Sequence, residues 1–366
     1  MTLTKIRSFF VRHRKYTVPA IIFILCALLH LVTRLSTSFS DFMTFGISGY
    51  IRAAIAGITS ILPFSLGETV VIMLPILLLF VFWLALRSKE PDSRVVHTLI
   101  VILTIMYALF VLSFAPSYNT TTADKLFEIE ASPVSTDELY DTATVLVNEI
   151  NELCDSIDFD YASSSRMRYD LDSLGEKLSD AYDTLSEKYG FILNFHSRLK
   201  PIALSRALTY THISGVYSYY TGEANINTNY PDYTTPYTAA HEMAHQRGFA
   251  REKEANFVAF LVCESSDDPY IRYSGKLSLL EYVMNALYTV DPTLYTEIFY
   301  SLDIRVRCEM VAYSDFFEEY RNSTASEISG AINDRYLKSH GQSEGEKSYG
   351  LVVDLAVAYI LGGTND

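Results

Sequence analysis

His241-Glu242-Met243-Ala244-His245, followed after five residues by Arg251-Glu252-Lys253-Glu254-Ala255-Asn256, decides how the rest of this chain is read. On a helix, residues four apart lie one turn above each other on the same face. Both imidazoles can therefore reach one zinc ion while Glu242 leans toward a water beside it. The pattern predicts a zinc hydrolase, although the five residues alone would occur by chance in about one sequence of this length in a hundred. Context strengthens it: Pro236 and a capping Thr238 precede the motif, and Gly248 supplies a helix stop.

A catalytic zinc takes three protein ligands and keeps one position open. Glu252 and Glu254 both open a second helical pattern, Glu252 to Cys263, whose apolar positions Ala255, Val258, Ala259 and Val262 repeat at helical spacing. Glu252 is the first choice for third ligand and Glu254 the reserve. Asn256, one turn beyond Glu252, is placed to hydrogen-bond a ligand and fix its orientation. A helix, a turn and a Glu-bearing helix resemble the gluzincin metallopeptidases, and the run from Glu252 to Asn256 is similar to the corresponding helix of ImmA/IrrE-type peptidases. Only six residues separate His245 from Glu252, a spacing closer to the metzincins, but the metzincin ligand position would fall on Arg251, which cannot bind zinc.

Charge divides the chain sharply. Residues 1–115 carry a net +6 and residues 116–366 a net −20, within an overall −14. So acidic a second part would repel nucleic acid, which removes DNA and RNA as partners. The four cysteines, Cys26, Cys154, Cys263 and Cys308, show no CxxC spacing and predict buried thiols rather than a disulfide framework.

Residues 17–33, 69–87 and 95–114 are long and apolar enough to be three transmembrane helices. The first lacks a small-residue cleavage site and reads as a retained span, not a signal peptide. Lys5, Arg7, Arg12, Arg14 and Lys15 precede it, and Arg87, Lys89 and Arg94 lie between the other two. Basic loops stay in the cytoplasm, so the N-terminus is expected inside and the C-terminal domain outside. Residues 41–66 are apolar but rich in Gly, Ser and Pro, with Arg52 at mid-length, and predict an interfacial or re-entrant segment.

Beyond residue 115 the expected fold is α+β and mostly helical, with a linker at 116–134 and a zincin-like extracytoplasmic domain over 135–366. Ser135 and Glu138 form a capping box before a helix bearing Leu139, Ala143, Leu146 and Ile150; a second helix carries Leu171, Leu174, Leu178 and Leu185, and the two are expected to pair as a hairpin. The run Gly222–Asn227, with Ala224 and Asn225 at its centre, is the candidate edge strand for aligning a substrate. Helical patterns follow at Pro269–Tyr288, Pro292–Leu302, Tyr313–Tyr320 and from about Ser348. Tyr349, Tyr336 and His340 are candidates to hold a developing oxyanion.

The segments KPIALSRALTYTHISGVYSYYTGEANIN (200–227), PYTAAHEMAHQRGFAREKEANFVAFL (236–261) and YLKSHGQSEGEKSYGLVVD (336–354) resemble an uncharacterised bacterial family of membrane-anchored HExxH proteins, the domain of unknown function of type 3810. That resemblance implies a bacterial membrane setting and a zinc peptidase-like site, and names no substrate. Zn2+ as cofactor and a protein or peptide substrate at the outer membrane face are the expected partners. The alternatives are a non-catalytic envelope binding or sensor protein with the same fold, and a hydrolase of a non-peptide amide.

Overall fold

Apolar runs that can satisfy their own backbone hydrogen bonds fold as helices, and they dominate the first third of the chain. In the computed structural model, which describes residues 14–87, 91–130, 132–160, 164–321, 323–339 and 352–362, they form α1 (Arg14–Leu35), a helical turn at Thr37–Asp41, a π-helical stretch at Phe42–Ile47, α2 (Ser48–Thr59), α3 (Leu66–Arg87) and α4 (Pro91–Ser113). Four stretches are long and apolar enough to cross a membrane: Lys15–Leu35, Thr37–Thr59, Leu66–Leu84 and Val95–Ser113. That is one more than the three expected. The addition, Thr37–Thr59, overlaps the segment expected to be interfacial.

The ends of these helices are tied down in a definite sense. His97 Nε2 bonds the Lys15 carbonyl at 2.8 Å, and Cys26 packs with Val111 and Ala115 toward the other end, so α1 and α4 run parallel. The amides of Leu66 and Gly67 donate to the Glu223 carboxylate in the globular part, so α3 starts on the side where α1 and α4 finish. Residues 37–59 begin and end on that same side. Asp41 accepts from the amide and hydroxyl of Thr121, and the Thr59 hydroxyl donates to the Thr221 carbonyl.

The globular part contains α5 (Thr136–Leu153), α6 (Leu171–Lys188), β1 (Lys200–Pro201), β2 (Gly215–Ser218), β3 (Glu223–Ile226), α7 (Thr234–Arg247), α8 (Glu252–Glu264), α9 (Pro269–Val290), α10 (Pro292–Ser301), α11 (Ile304–Glu318), α12 (Thr324–Ser339) and α13 (Val352–Gly362). The α+β, mostly helical class is therefore observed. α5 starts with both halves of the Ser135–Glu138 capping box formed. α5 and α6 do not form the expected hairpin: α5 packs chiefly on α9, while α6 packs on α8 and α7. The reason lies in α9, which is buried on nearly every side from Tyr270 to Leu287 and so needs helices all around it. The pattern expected at Tyr313–Tyr320 belongs to a helix that already starts at Ile304. All four cysteines are free; Cys26, Cys154 and Cys263 are buried as expected, whereas Cys308 is only partly buried.

Residues 115–130 are packed rather than a linker. Tyr118, Ala123 and Phe127 are buried, and the Phe127 ring contacts those of Tyr189, Phe191, Phe249 and Phe257. Aromatic area of this size drives burial even where prolines and threonines suggest a loop. The sheet is small and mixed, in the order β1-β3-β2, with Lys200 opposite Asn225 in parallel and Val216 opposite Asn225 in antiparallel register. β3 is thus the central strand, and the expected edge residues Ala224 and Asn225 are buried inside the sheet. The edge is β2.

Candidate metal centre

α7 starts at Thr234, a turn before the expected cap Thr238, and ends at Gly248 as expected. Gly248 has φ +106°, a left-handed cap that a side chain would strain. The Phe249 amide returns to the Ala244 carbonyl, closing the cap. The same reversal drops the Phe249 carbonyl onto His245 Nδ1 at 2.7 Å. A carbonyl only accepts, so Nδ1 carries a proton, and in the neutral imidazole Nε2 is left with its lone pair directed at the centre.

α8 crosses α7 directly after this turn and faces it with Glu252. One Glu252 carboxylate oxygen lies 3.2 Å from His241 Nε2 and 3.7 Å from His245 Nε2. Ligand atoms on a tetrahedral centre with bonds of about 2.0–2.1 Å stand about 3.4 Å apart, so the two distances to Glu252 are those of a group that could hold a metal ion. His241, His245 and Glu252 are one of two such groups among the described residues. The other, Asp180, Asp183 and His196, lies at the surface, with His196 already paired to Glu176 and Asp183.

The electrostatics of the trio follow from its crowding. Burial works against a charged His245, but Glu252 outweighs it and holds the imidazolium pKa up at about 9. Burial likewise works to raise Glu252, and His245 and His241 outweigh it, keeping this carboxyl well below its usual range. Glu242 differs. Desolvation dominates there and raises its pKa above the ordinary value, against the pull of the two histidines and the Tyr217 amide.

Glu254, the reserve ligand, points elsewhere: it pairs with Arg251 at 2.8 Å and accepts the Ala123 amide at 3.0 Å. Two residues apart on a helix, Glu252 and Glu254 lie on nearly opposite faces, so only one can look at α7. Arg251 holds the carbonyls of Thr120 and Thr121. Asn256 is buried, but its Nδ2 has no hydrogen-bond partner, so the expected orienting bond to a ligand is not formed.

Two residues that the sequence reading did not single out for the site belong to it. An added Cβ at Gly215, on the edge strand, would lie 2.6 Å from Glu242 Oε1, so glycine is what lets the carboxylate sit against β2. Tyr217, two residues along the same strand, donates its amide to the Glu242 carboxylate. Gly215 was visible only as punctuation, and Tyr217 is one of 27 tyrosines without a distinguishing neighbour. Of the oxyanion candidates, His340 and Tyr349 lie outside the described residues, as does the side chain of Tyr336.

The site sits against the end of α4. The His245 ring has Phe114 at 6.4 Å edge-on and Tyr217 at 6.4 Å stacked, and Phe114 stacks in turn on Tyr219. A family model described as Protein of unknown function (DUF3810) matches residues 44–357. The chain belongs to that family. The DUF3810 match takes in α2, α3 and α4 together with the whole α7–α8 crossing, so the unit that defines the family includes apolar helices as well as the globular part. No curated protein and no solved structure matches the chain.

Proposed function

We propose that this DUF3810 protein is a membrane-anchored zinc hydrolase with a zincin-like domain that cleaves peptide bonds at the outer face of a bacterial cytoplasmic membrane. The single observation that carries the reading is the convergence of His241 Nε2 and His245 Nε2 on one oxygen of Glu252, with the Glu242 carboxylate buried alongside. A zinc ion held by these three side chains would supply Lewis acidity, polarising a carbonyl and acidifying water. Glu242 then takes the proton of the attacking water and delivers it to the leaving amine. Burial raises its pKa above the ordinary carboxyl value, the direction that strengthens a general base. The outward edge of β2 offers backbone groups to an extended peptide beside Glu242.

For topology we read three crossings, α1, α3 and α4, with residues 37–64 lying along the membrane surface. Support comes from the parallel run of α1 and α4 and from both ends of 37–59 meeting the globular part. Together with the basic residues before α1 and between α3 and α4, this puts the globular part outside. The contact of Phe114 with His245 sets the centre about one side chain from the end of α4, so substrates would be polypeptides that present a bond close to the bilayer.

The test is Glu242→Gln in the full chain, assayed on a peptide library and on membrane proteins. We expect zinc content and fold to be kept while hydrolysis falls by about 10²–10⁴. Undiminished hydrolysis in this variant, or none in a zinc-loaded wild type across both substrate sets, would overturn the peptidase assignment and favour the binding-protein alternative.

A further inference from the structure

Arg52 is the one charged side chain of the apolar stretch from Phe42 to Thr59, and it is 1% exposed. Its guanidinium donates only to main-chain carbonyls: Nε to Gln246 at 2.9 Å, Nη1 to Ser113 at 2.7 Å, and Nη2 to Thr44 at 2.7 Å and Arg247 at 3.2 Å. Among the described residues no carboxylate pairs with it. Gln246 and Arg247 close α7, and Ser113 closes α4. Carbonyls at helix C-termini have no partner within the helix and lie at the negative end of its dipole. One cation therefore neutralises the ends of two helices at once, and fixes them to the π-helical stretch that carries Thr44.

The far side of this contact is built to admit the guanidinium. A Cβ at Gly248 would lie 2.6 Å from Arg52 Nη2, so the glycine that ends α7 also makes the room that Arg52 fills. His245 stands in the last turn of α7, and its Nδ1 rests on Phe249, one residue past that glycine. Any axial shift or rotation of the α7 cap is passed to His245 within a single turn. A planar fork with five donors meets four carbonyls in fixed directions, which a lysine ammonium on a flexible stem does not.

We propose that Arg52 is a positioning residue of the metal centre: from the apolar segment beside the membrane it sets the α7 cap, and so directs His245 Nε2 toward His241 and Glu252. The inference rests on the metal reading given above. It makes the apolar segment a working part of the site rather than an anchor alone.

The full chain, solubilised in detergent, is compared as wild type, Arg52→Ala, Arg52→Lys and Gly248→Ala. Zinc affinity is measured by competition with a chromophoric chelator, and Co2+ alone is titrated while its visible absorption reports ligand geometry. Circular dichroism melting runs in parallel. We expect Arg52→Ala and Gly248→Ala to bind zinc about tenfold or more weaker, in the range seen when groups that orient metal ligands are lost. Both should shift the cobalt bands, and Arg52→Lys should fall between them and wild type. Wild-type affinity and cobalt bands in Arg52→Ala, whatever its melting temperature, would overturn the proposal and leave Arg52 a stabilising residue only. If Arg52→Ala does not fold, Arg52→Lys and Gly248→Ala are judged by the same two readouts. Wild type that takes up neither zinc nor cobalt refutes the metal reading itself, an outcome distinct from metal binding that ignores Arg52.

Discussion

The α7–α8 crossing and the belt that wraps it, residues 37–64 and 115–127, are both buried and both polar where they meet, yet they are organised in opposite ways. In the crossing, charged side chains meet one another: His241, His245 and Glu252 converge within one turn and one reversal of the chain. In the belt, side chains chiefly meet backbone, although Arg251 and Glu254 also pair with each other. Arg52 and Arg251 bind carbonyls, Glu254 and Glu223 bind amides, and the Lys200 ammonium donates to the Thr59 carbonyl at 2.8 Å and to that of Leu62. Side chains that meet each other can exchange a proton for a metal ion, whereas side chains bound to backbone can only hold a shape. On the proposed metal reading, that difference separates chemistry from support in this molecule.

The neighbours Glu252 and Glu254 offer the sharpest way to break the comparison. Glu254→Ala strands Arg251 and the Ala123 amide, and should cost about 3–5 kcal/mol of stability, as removing one partner of a buried pair does. It should leave zinc stoichiometry unchanged in whatever fraction folds. Glu252→Ala should do the reverse, abolishing zinc binding at a smaller loss of stability, with denaturant melts and metal analysis as the paired readouts. If Glu254→Ala loses zinc while Glu252→Ala keeps it, the division between the two regions is wrong.

The pH dependence sharpens the same contrast. In protein stripped of metal by chelation, His245 has its pKa raised to about 9, so its contribution to stability is fully present below about pH 6.5, the unfolded value, and disappears as pH rises through about 9. Glu252, with its pKa depressed, contributes above about pH 4.3 and loses that contribution in stronger acid. The stability contributed by the His245–Glu252 pair in metal-stripped protein should therefore be greatest between about pH 4.5 and 6.5, which single and double substitutions of the two residues isolate. Zinc uptake at pH 7 should release about one proton, because the ion needs a neutral imidazole. Calorimetry in buffers of different ionisation enthalpy measures it. No proton release would mean that His245 is not a ligand.

Gly215→Ala tests how tightly the edge strand is fitted to the acid. A methyl group within 2.6 Å of Glu242 Oε1 must displace it, costing about 1–3 kcal/mol as overpacking does. Hydrolysis should fall more than zinc affinity, since the ligands are untouched. The smallest effect is at the start of α5, where Ser135→Ala removes a fully formed capping box, at about 1 kcal/mol with no effect on zinc.

The crossing was legible in the sequence because its information is local. A helix period, a stop glycine and a second helix starting six residues later place His241, His245 and Glu252 together without any distant contact. Periodicity even favoured Glu252 over Glu254, although only the packed structure shows Glu254 turned toward Ala123. The belt was not legible, because its bonds link residues up to 195 positions apart and use backbone groups that every residue possesses. Arg52 was visible as an oddity in an apolar run, but nothing in sequence could say that it met the carbonyls of Gln246 and Arg247. The strand order failed for a related reason. Which of two short strands lies at the edge depends on β1, two residues long and far too short to announce itself.

Metal analysis of the full chain tests the central claim most directly, with zinc quantified per chain in wild type, His245→Ala and Glu252→Ala, and X-ray absorption at the zinc edge of the wild type. The account predicts one zinc per chain, two imidazole nitrogens and carboxylate oxygen at about 2.0–2.2 Å, and loss of the metal in both variants. Wild type without zinc under metal-replete conditions, or zinc retained in Glu252→Ala, would contradict it.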